Sequence, residues 1–168
     1  MKMKILITTI LVTFFIACQT NSHSINNNTR DKEKNKTIVT QFYNDVINKG
    51  DSSVIKLIMA DDFIDHNAAQ TQPNGIEGFR QFLTMISTAF PNIEVKVEDM
   101  ISEDDKVVVR ISISGTQTGL LMGKIPASGK HAVWDGIDIF KIENGKIKER
   151  WSQRDLLSLM RQVGALPN

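Results

Sequence analysis

Apolar and polar positions along this chain keep one period through its first half and another through most of its second. From Lys36 the residues Ile38, Val39, Phe42, Val46 and Ile47 recur at helical spacing. Gly50 stops that helix, and Asp51 offers an N-cap to a shorter second one carrying Val54, Ile55, Leu57 and Ile58. Asp61 and Asp62 break the pattern and leave residues 63–66 as a short strand or entry loop. Asn74-Gly75 turns into a third helix with the face Ile76, Phe79, Phe82, Leu83, Ile86 and Phe90, ended by Pro91.

Beyond Pro91 the period becomes two. Ile93, Val95 and Val97 alternate with charged residues, and residues 103–106 (EDDK) turn the chain. Val107, Val109, Ile111 and Ile113 then alternate with more polar neighbours, as in a strand with one buried face. Residues 119–129 form a Gly/Pro-containing loop, and a long strand runs from about His131 to Ile142. Asn144-Gly145 is a strong hairpin signal, and a further strand reaches about Ser152. Leu156, Leu157, Met160 and Val163 predict a closing helix that Asp155 caps and Gly164 ends. Helices first and an antiparallel meander afterwards predict an α+β domain with helices packed on one face of a curved sheet.

The N-terminus reads as an address. Lys2 and Lys4 precede an apolar run over residues 5–17 that would span only about 20 Å as a helix, short of the roughly 30 Å of a bilayer core. A basic start with a short apolar run is a secretory signal. Phe15-Ile16-Ala17-Cys18 resembles the bacterial lipobox, with Phe15 where leucine is usual. The expected organisation is a lipoprotein signal peptide over 1–17, a lipidated Cys18 opening a flexible polar tether over 18–35, and one domain over 36–168. Two acyl chains anchor a protein stably, so contact with a membrane is expected through the lipid anchor only. The location implied is the bacterial cell envelope. Gln19, where an aspartate would favour the inner membrane, leans by the same resemblance toward the outer membrane.

Charge and composition narrow the chemistry. The 168 residues carry 20 basic and 19 acidic side chains, a net +1, with no Lys- or Arg-rich stripe of the kind nucleic-acid binding needs. A single cysteine excludes an intramolecular disulfide, and the three histidines are too dispersed for a zinc site. No metal and no cofactor are expected.

Several stretches in order resemble the SnoaL-like polyketide cyclase and ester cyclase group, within the nuclear-transport-factor-like fold. They are DHN (65–67), GIEGF (75–79), AFPNIEVKVEDMISEDDKVVVR (89–110), GTQTG (115–119), the Gly123–Pro126 loop, SGK (128–130), DIFKIENGKIKERW (138–151) and QVG (162–164). The resemblance implies a cone of three N-terminal helices on a curved antiparallel sheet, with a short C-terminal helix and a pocket. It also implies intramolecular aldol chemistry, in which an aspartate deprotonates a carbon beside a carbonyl. That base would need a dry cavity, with donors placed for the oxyanion. The same resemblance places the acid/base aspartate directly after Trp151, where this chain has Ser152, and a histidine where it has Gln117.

Candidate site residues follow. Asp138 shares its alternation register with Trp134, Gly136 and Phe140 and is a candidate base, or else an edge charge paired with Arg110 or a lysine. His66 is a second candidate base, flanked by Asp65 and Asn67 at the expected pocket mouth, a segment that otherwise reads as a capped turn. Phe79, Arg110, Gln117, Trp134 and Trp151 complete the expected ligand-contacting set, while Met85, Met100, Met122 and Met160 read as core filler. Three functions fit. The first is a tethered domain whose apolar pocket holds a small hydrophobic or carbonyl-containing molecule, since a serine hydroxyl is no carbon-acid base. The second is an active cyclase, isomerase or hydrolase using Asp138 or His66. The third is a structural domain that pairs two copies through Ile137 and Ile139 on the outer sheet face.

Overall fold

The computed structural model describes residues 29–69 and 72–167. The signal peptide, Cys18 and the tether up to residue 28 lie outside them. Helix α1 runs over residues 29–41 and continues as a π-helical stretch, Phe42–Asn48. Then follow α2 (Ile55–Ile58), β1 (Met59–Asp65), α3 (Gly75–Ala89), β2 (Glu94–Glu103), β3 (Lys106–Thr116), β4 (His131–Glu143), β5 (Lys146–Arg154) and α4 (Leu156–Val163).

Residues 29–35, expected within the tether, are helical. The ionic pairs Asp31–Lys34 and Glu33–Lys36 stand one turn apart, a spacing that supports a polar helix end. Lys32 reaches Glu103 at 2.6 Å and the Asn35 amide donates to the Asp104 carbonyl at 3.3 Å, so this end is tied to the β2–β3 turn.

The five strands lie in the order β1-β5-β4-β3-β2. The last four in the chain form the expected antiparallel meander, but β1 pairs parallel with β5. Nothing local in the sequence announces that pairing, because α3 and three strands lie between the two. The Asn144-Gly145 turn has φ of 52° and 73°, the left-handed pair that a two-residue hairpin requires. At the other end of the chain, Asp155 Oδ1 accepts from the Ser158 amide at 2.9 Å, and α4 stops at Gly164 with φ of 83°.

One face of the sheet is covered by α1 and α3, and the core lies between them. Phe42 is its centre, with ring centroids 5.6 Å from Phe79 and 5.2 Å from Phe140. Burying a side chain of this size contributes about 1.5–3 kcal/mol. The other face is open. Alternation on β4 is strict, with Ala132, Trp134, Gly136, Asp138, Phe140 and Ile142 on the covered side.

Two bulges interrupt that alternation. On β2 the pairing shifts between Val97 and Asp99. On β5, Ile147 pairs with Ile142 and Glu149 with Lys141, leaving Lys148 as an extra residue. A bulge exchanges the faces of everything beyond it. Arg150, Ser152 and Arg154 therefore pair with Phe140, Asp138 and Gly136 on the covered side, and Glu149 and Trp151 turn outward.

Candidate functional site

Between α1, α3, the covered faces of β3 and β4, the start of α4 and the 121–122 loop lies a cavity of about 120 Å³. Its wall is aromatic and aliphatic, with Phe42, Phe82, Ile111, Leu121 and Trp134 among the lining residues. The charged or hydroxyl-bearing side chains in that wall are Tyr43, Arg150 and Arg154. Met85, Met122 and Leu156 line the cavity and are also exposed, so they mark its mouth. Met85 and Met122 are thus rim residues and not the core filler that the sequence suggests.

Behind this wall sits Asp138, fully buried. Its Oδ2 accepts from the Tyr43 hydroxyl at 2.5 Å and from Arg154 Nη2 at 2.9 Å, while its Oδ1 has no hydrogen-bond partner among the described residues. Burial pushes the Asp138 carboxyl up. The charges of Arg154 and Arg150, with the hydrogen bonds from Arg154 and Tyr43, outweigh it and hold the group below the ordinary carboxylate range. Burial, then the charge and hydrogen bond of Asp138, push the Tyr43 phenol far above its ordinary value. The pair is therefore an anion and a neutral phenol.

Arg154 reaches Asp138 by lying across Gly136, its register partner. A Cβ on Gly136 would stand 2.7 Å from Arg154 Nη1 and 2.9 Å from the Gln153 carbonyl. Arg150 is held by a second carboxylate, with Nη2 2.7 Å from Asp65 Oδ2 and side-chain exposures of only 5% and 6%. Its guanidinium lies 4.9 Å from the centroid of Phe79 and 5.5 Å from that of Phe82, so the ion rests beside two aromatic rings as well as in its pair. Arg150 Nε has no hydrogen-bond partner among the described residues.

The residues expected from sequence divide by face. Asp138, Asp65 and Trp134 all lie on the covered side, although only Trp134 lines the cavity. Ser152, the register partner of Asp138, is on that side too, its amide donating to Asn67 Oδ1 at 2.5 Å. Phe79 is wholly buried and packs on Arg150. Gln117 does not face a ligand. It is fully buried, its amide donates to the carbonyls of Gly119, Ile125 and Pro126, and its oxygen accepts from Ser128 at 2.7 Å. It clamps the loop that carries Leu121 and Met122.

Three expected site residues stand on the open face. His66 stacks on Trp151 at 4.3 Å with nearly parallel rings, and its Nε2 lies 2.7 Å from Glu149 Oε2. Arg110 is exposed and pairs in register with Ile137, because Val109 takes the place opposite Asp138. Alternation alone excludes an Arg110–Asp138 pair. The cations that do serve Asp138 are Arg154 and Arg150, and sequence reading missed both, along with Tyr43. Tyr43 was within reach, being four residues from Val39 on the helical stripe.

The family model for SnoaL-like polyketide cyclases matches residues 37–163. Among solved structures, TsrD from Streptomyces laurentii is 32% identical with a TM-score of 0.74, over 80% of this chain and 98% of that one. A SnoaL-like chain from Jannaschia sp. CCS1 is 28% identical with a TM-score of 0.71, over 81% and 95%. A polyketide-cyclase-like chain from Bacillus cereus ATCC 10987 is 28% identical with a TM-score of 0.68, over 79% and 82%. Among curated proteins no match is found.

Proposed function

The chain belongs to the SnoaL-like polyketide cyclase family, and from that premise we propose that its cavity receives a small, largely apolar molecule bearing a carbonyl oxygen. The observation carrying this reading is the pairing of an apolar wall with two guanidinium groups, each anchored from behind by a buried carboxylate. Anchored donors lose little freedom when a ligand arrives, and an oxygen acceptor can meet them in a dry site. Two carboxylates, Asp65 and Asp138, face two cations, Arg150 and Arg154. The site is neutral in sum and suits an uncharged ligand.

A second reading is turnover, favoured by the unpartnered Asp138 Oδ1. In that reading Oδ1 takes a proton from the carbon beside the ligand carbonyl, and Arg150 and Arg154 hold the enolate oxygen. It ranks second because Asp138 stands behind Tyr43 and Arg154, outside the lining of the cavity, and is a weakened base. His66 on the open face is no part of it. The domain is also proposed to be exported and held at the cell envelope through Cys18. Cys18→Ser should move it from the membrane fraction to the soluble one, and unchanged partitioning would remove the anchor.

Acetophenone titrated against the Trp151→Phe variant, in which Trp134 is the reporting indole, tests the pocket. Saturable quenching is expected, and a response linear in ligand would sink the reading. Deuterium uptake at the methyl group of acetophenone in D2O, followed by NMR, tests turnover. Exchange faster than buffer and lost in Asp138→Asn would promote the enzyme reading; exchange at the buffer rate leaves binding alone.

A further inference from the structure

The cavity opens through a rim that is itself apolar. Met85 of α3, Met122 of the 121–125 turn and Leu156 of α4 line the mouth and are exposed. Leu120 is exposed beside them, sharing a surface groove with Met85, and Leu157 follows Leu156 on the first turn of α4. Single exposed apolar side chains are ordinary, but a contiguous group around an opening marks a place that something covers. The turn holds its tip rigidly. Leu121 and Ile125 exchange both backbone hydrogen bonds at 2.9 Å, and Gln117 holds the carbonyls of Ile125 and Pro126 from within. Little freedom is left to lose when that tip is buried.

Charge identifies the cover. Residues 106–134 and 156–168 contain no Asp or Glu. Lys124 is exposed on the tip, two residues from Met122, and Arg161 is exposed on α4. Lys130 Nζ stands 2.6 Å from where a Cβ on Gly164 would lie, at the end of that helix. Acidic side chains come near at Glu77, which shares its groove with Arg80, and at Asp155, whose Oδ1 accepts from the Ser158 amide. Asp135 is on the open side of β4. Apolar side chains accompanied by cations fit an anionic lipid surface, the former entering the acyl boundary and the latter meeting headgroup phosphates. A second copy of the chain would instead set cations against cations.

We propose that the rim of the cavity docks on an anionic bilayer surface through Leu120, Met122, Leu156 and Leu157, so that the cavity opens toward lipid. A sparingly soluble ligand then passes between bilayer and cavity without crossing water. The docking stands independently of what the cavity binds, and the ligand exchange rests on the proposed pocket. The expected anchor leaves room for this pose. From the β2–β3 turn, where the start of α1 is tied, to the level of Ile113 is about 23 Å along β3. The chain from Cys18 to Asn28 can reach up to about 36 Å.

The test places a single indole on the rim. In the full chain, Leu120→Trp is combined with Trp134→Phe and Trp151→Phe and mixed with vesicles of phosphatidylglycerol and phosphatidylcholine, with or without bromine on the acyl chains. Bromine quenches an indole only in contact, so emission from position 120 should fall about twofold or more in brominated vesicles. A matched chain carrying Leu57→Trp instead, reporting from α2, should keep its emission. Omitting phosphatidylglycerol should remove most of the quenching at position 120. A chain that sediments with the vesicles while position 120 stays unquenched is held elsewhere, and the proposal falls. Equal quenching at positions 120 and 57, or no dependence on phosphatidylglycerol, overturns it too. So does a dimer in sedimentation that Met122→Glu dissolves, which would give the rim to a second copy. Hydrogen exchange of the parent chain needs no substitution and decides alone if a variant does not fold. The vesicles should slow exchange over residues 119–126 and 156–161 and leave 57–64 unchanged, and uniform or absent slowing overturns the proposal. None of these readings uses a ligand, so failure of acetophenone to bind leaves the docking result intact.

Discussion

On the covered face of β5, Arg150 holds Asp65 at 2.7 Å with side-chain exposures of 5% and 6%. One residue earlier, on the open face, Glu149 holds His66 at the same 2.7 Å with exposures of 19% and 36%. Both clusters have an arginine or lysine beside that pair, Arg154 near the first and Lys141 at 3.2 Å from Glu149 in the other, and both set a guanidinium or imidazole against an aromatic ring. Residue type and distance are nearly matched, and solvation is not. Buried ions are held by partners they cannot exchange for water, which makes them costly to break and useful as fixed donors. Exposed ions can exchange, and their pairing fixes little.

A single residue sets which cluster is which. If β5 alternated without interruption from the buried Ile147, Glu149 and Trp151 would face the core, and Arg150 and Arg154 the solvent. Lys148, the extra residue, reverses this. An alanine inserted between Arg150 and Trp151 is therefore the largest perturbation in prospect: it would turn Trp151 into the aromatic core and Arg154 out of it, leaving Asp138 buried without the cation that hydrogen-bonds it. The expected outcome is loss of cooperative urea unfolding. A variant that still unfolds cooperatively and binds acetophenone would mean that β5 absorbs the added residue in a second bulge and that one bulge does not fix the faces.

Next in size is the buried pair itself. Asp65→Asn leaves the Arg150 charge without its counter-ion in a site it cannot leave, at a cost of about 3–5 kcal/mol. The change should appear as a large drop in the urea midpoint, with the double variant Asp65→Leu/Arg150→Met less destabilised than Asp65→Asn. If the double variant is the worse of the two, the pair stabilises the fold outright and is not merely costly to break.

The same bulge explains what could be read in advance. The face of α3, the Asn144-Gly145 hairpin, the Asp155 and Gly164 caps of α4 and the β4 register are all local patterns, and the structure keeps them. Asp138 was legible because β4 has no bulge in its middle. Trp151 and His66 were misplaced because a bulge leaves no periodic mark, and because β1 pairs parallel to a strand distant in sequence. Gln117 was misread for another reason: a buried amide reads alike whether it meets a ligand or the loop carbonyls, until those carbonyls are placed.

Asp138 gives an intermediate effect, visible in acid. Its carboxyl is lowered in the folded protein, so its contribution is fully present above the ordinary aspartate value of about 3.9 and is lost as pH falls through the depressed folded value. Asp138→Asn should be less stable than the parent at neutral pH and should lose less on acidification below about pH 4. Its deficit should be smaller than that of Asp65→Asn, because Arg154, with 21% of its side chain exposed, can turn to water. Parallel acid limbs for parent and variant would show that Asp138 is not ionised in the native site.

The smallest effect belongs to the open face. The Glu149 carboxyl is lowered by hydrogen bonds from His66 and Lys141, yet both partners reach solvent and can be hydrated when it is removed. Glu149→Gln should leave the urea midpoint within error and the affinity for acetophenone unchanged, while altering the emission of Trp151 through the stacked His66. A loss comparable to that of Asp65→Asn would mean that this face is not solvated in solution. Ile101, Val108 and Ile137 are exposed on the same face, and Ile139 and Trp151 are part-exposed there. The cover would then be a second copy of the chain, and sedimentation of the parent and of an Ile137→Lys variant would show it directly as a dimer that the charge dissolves.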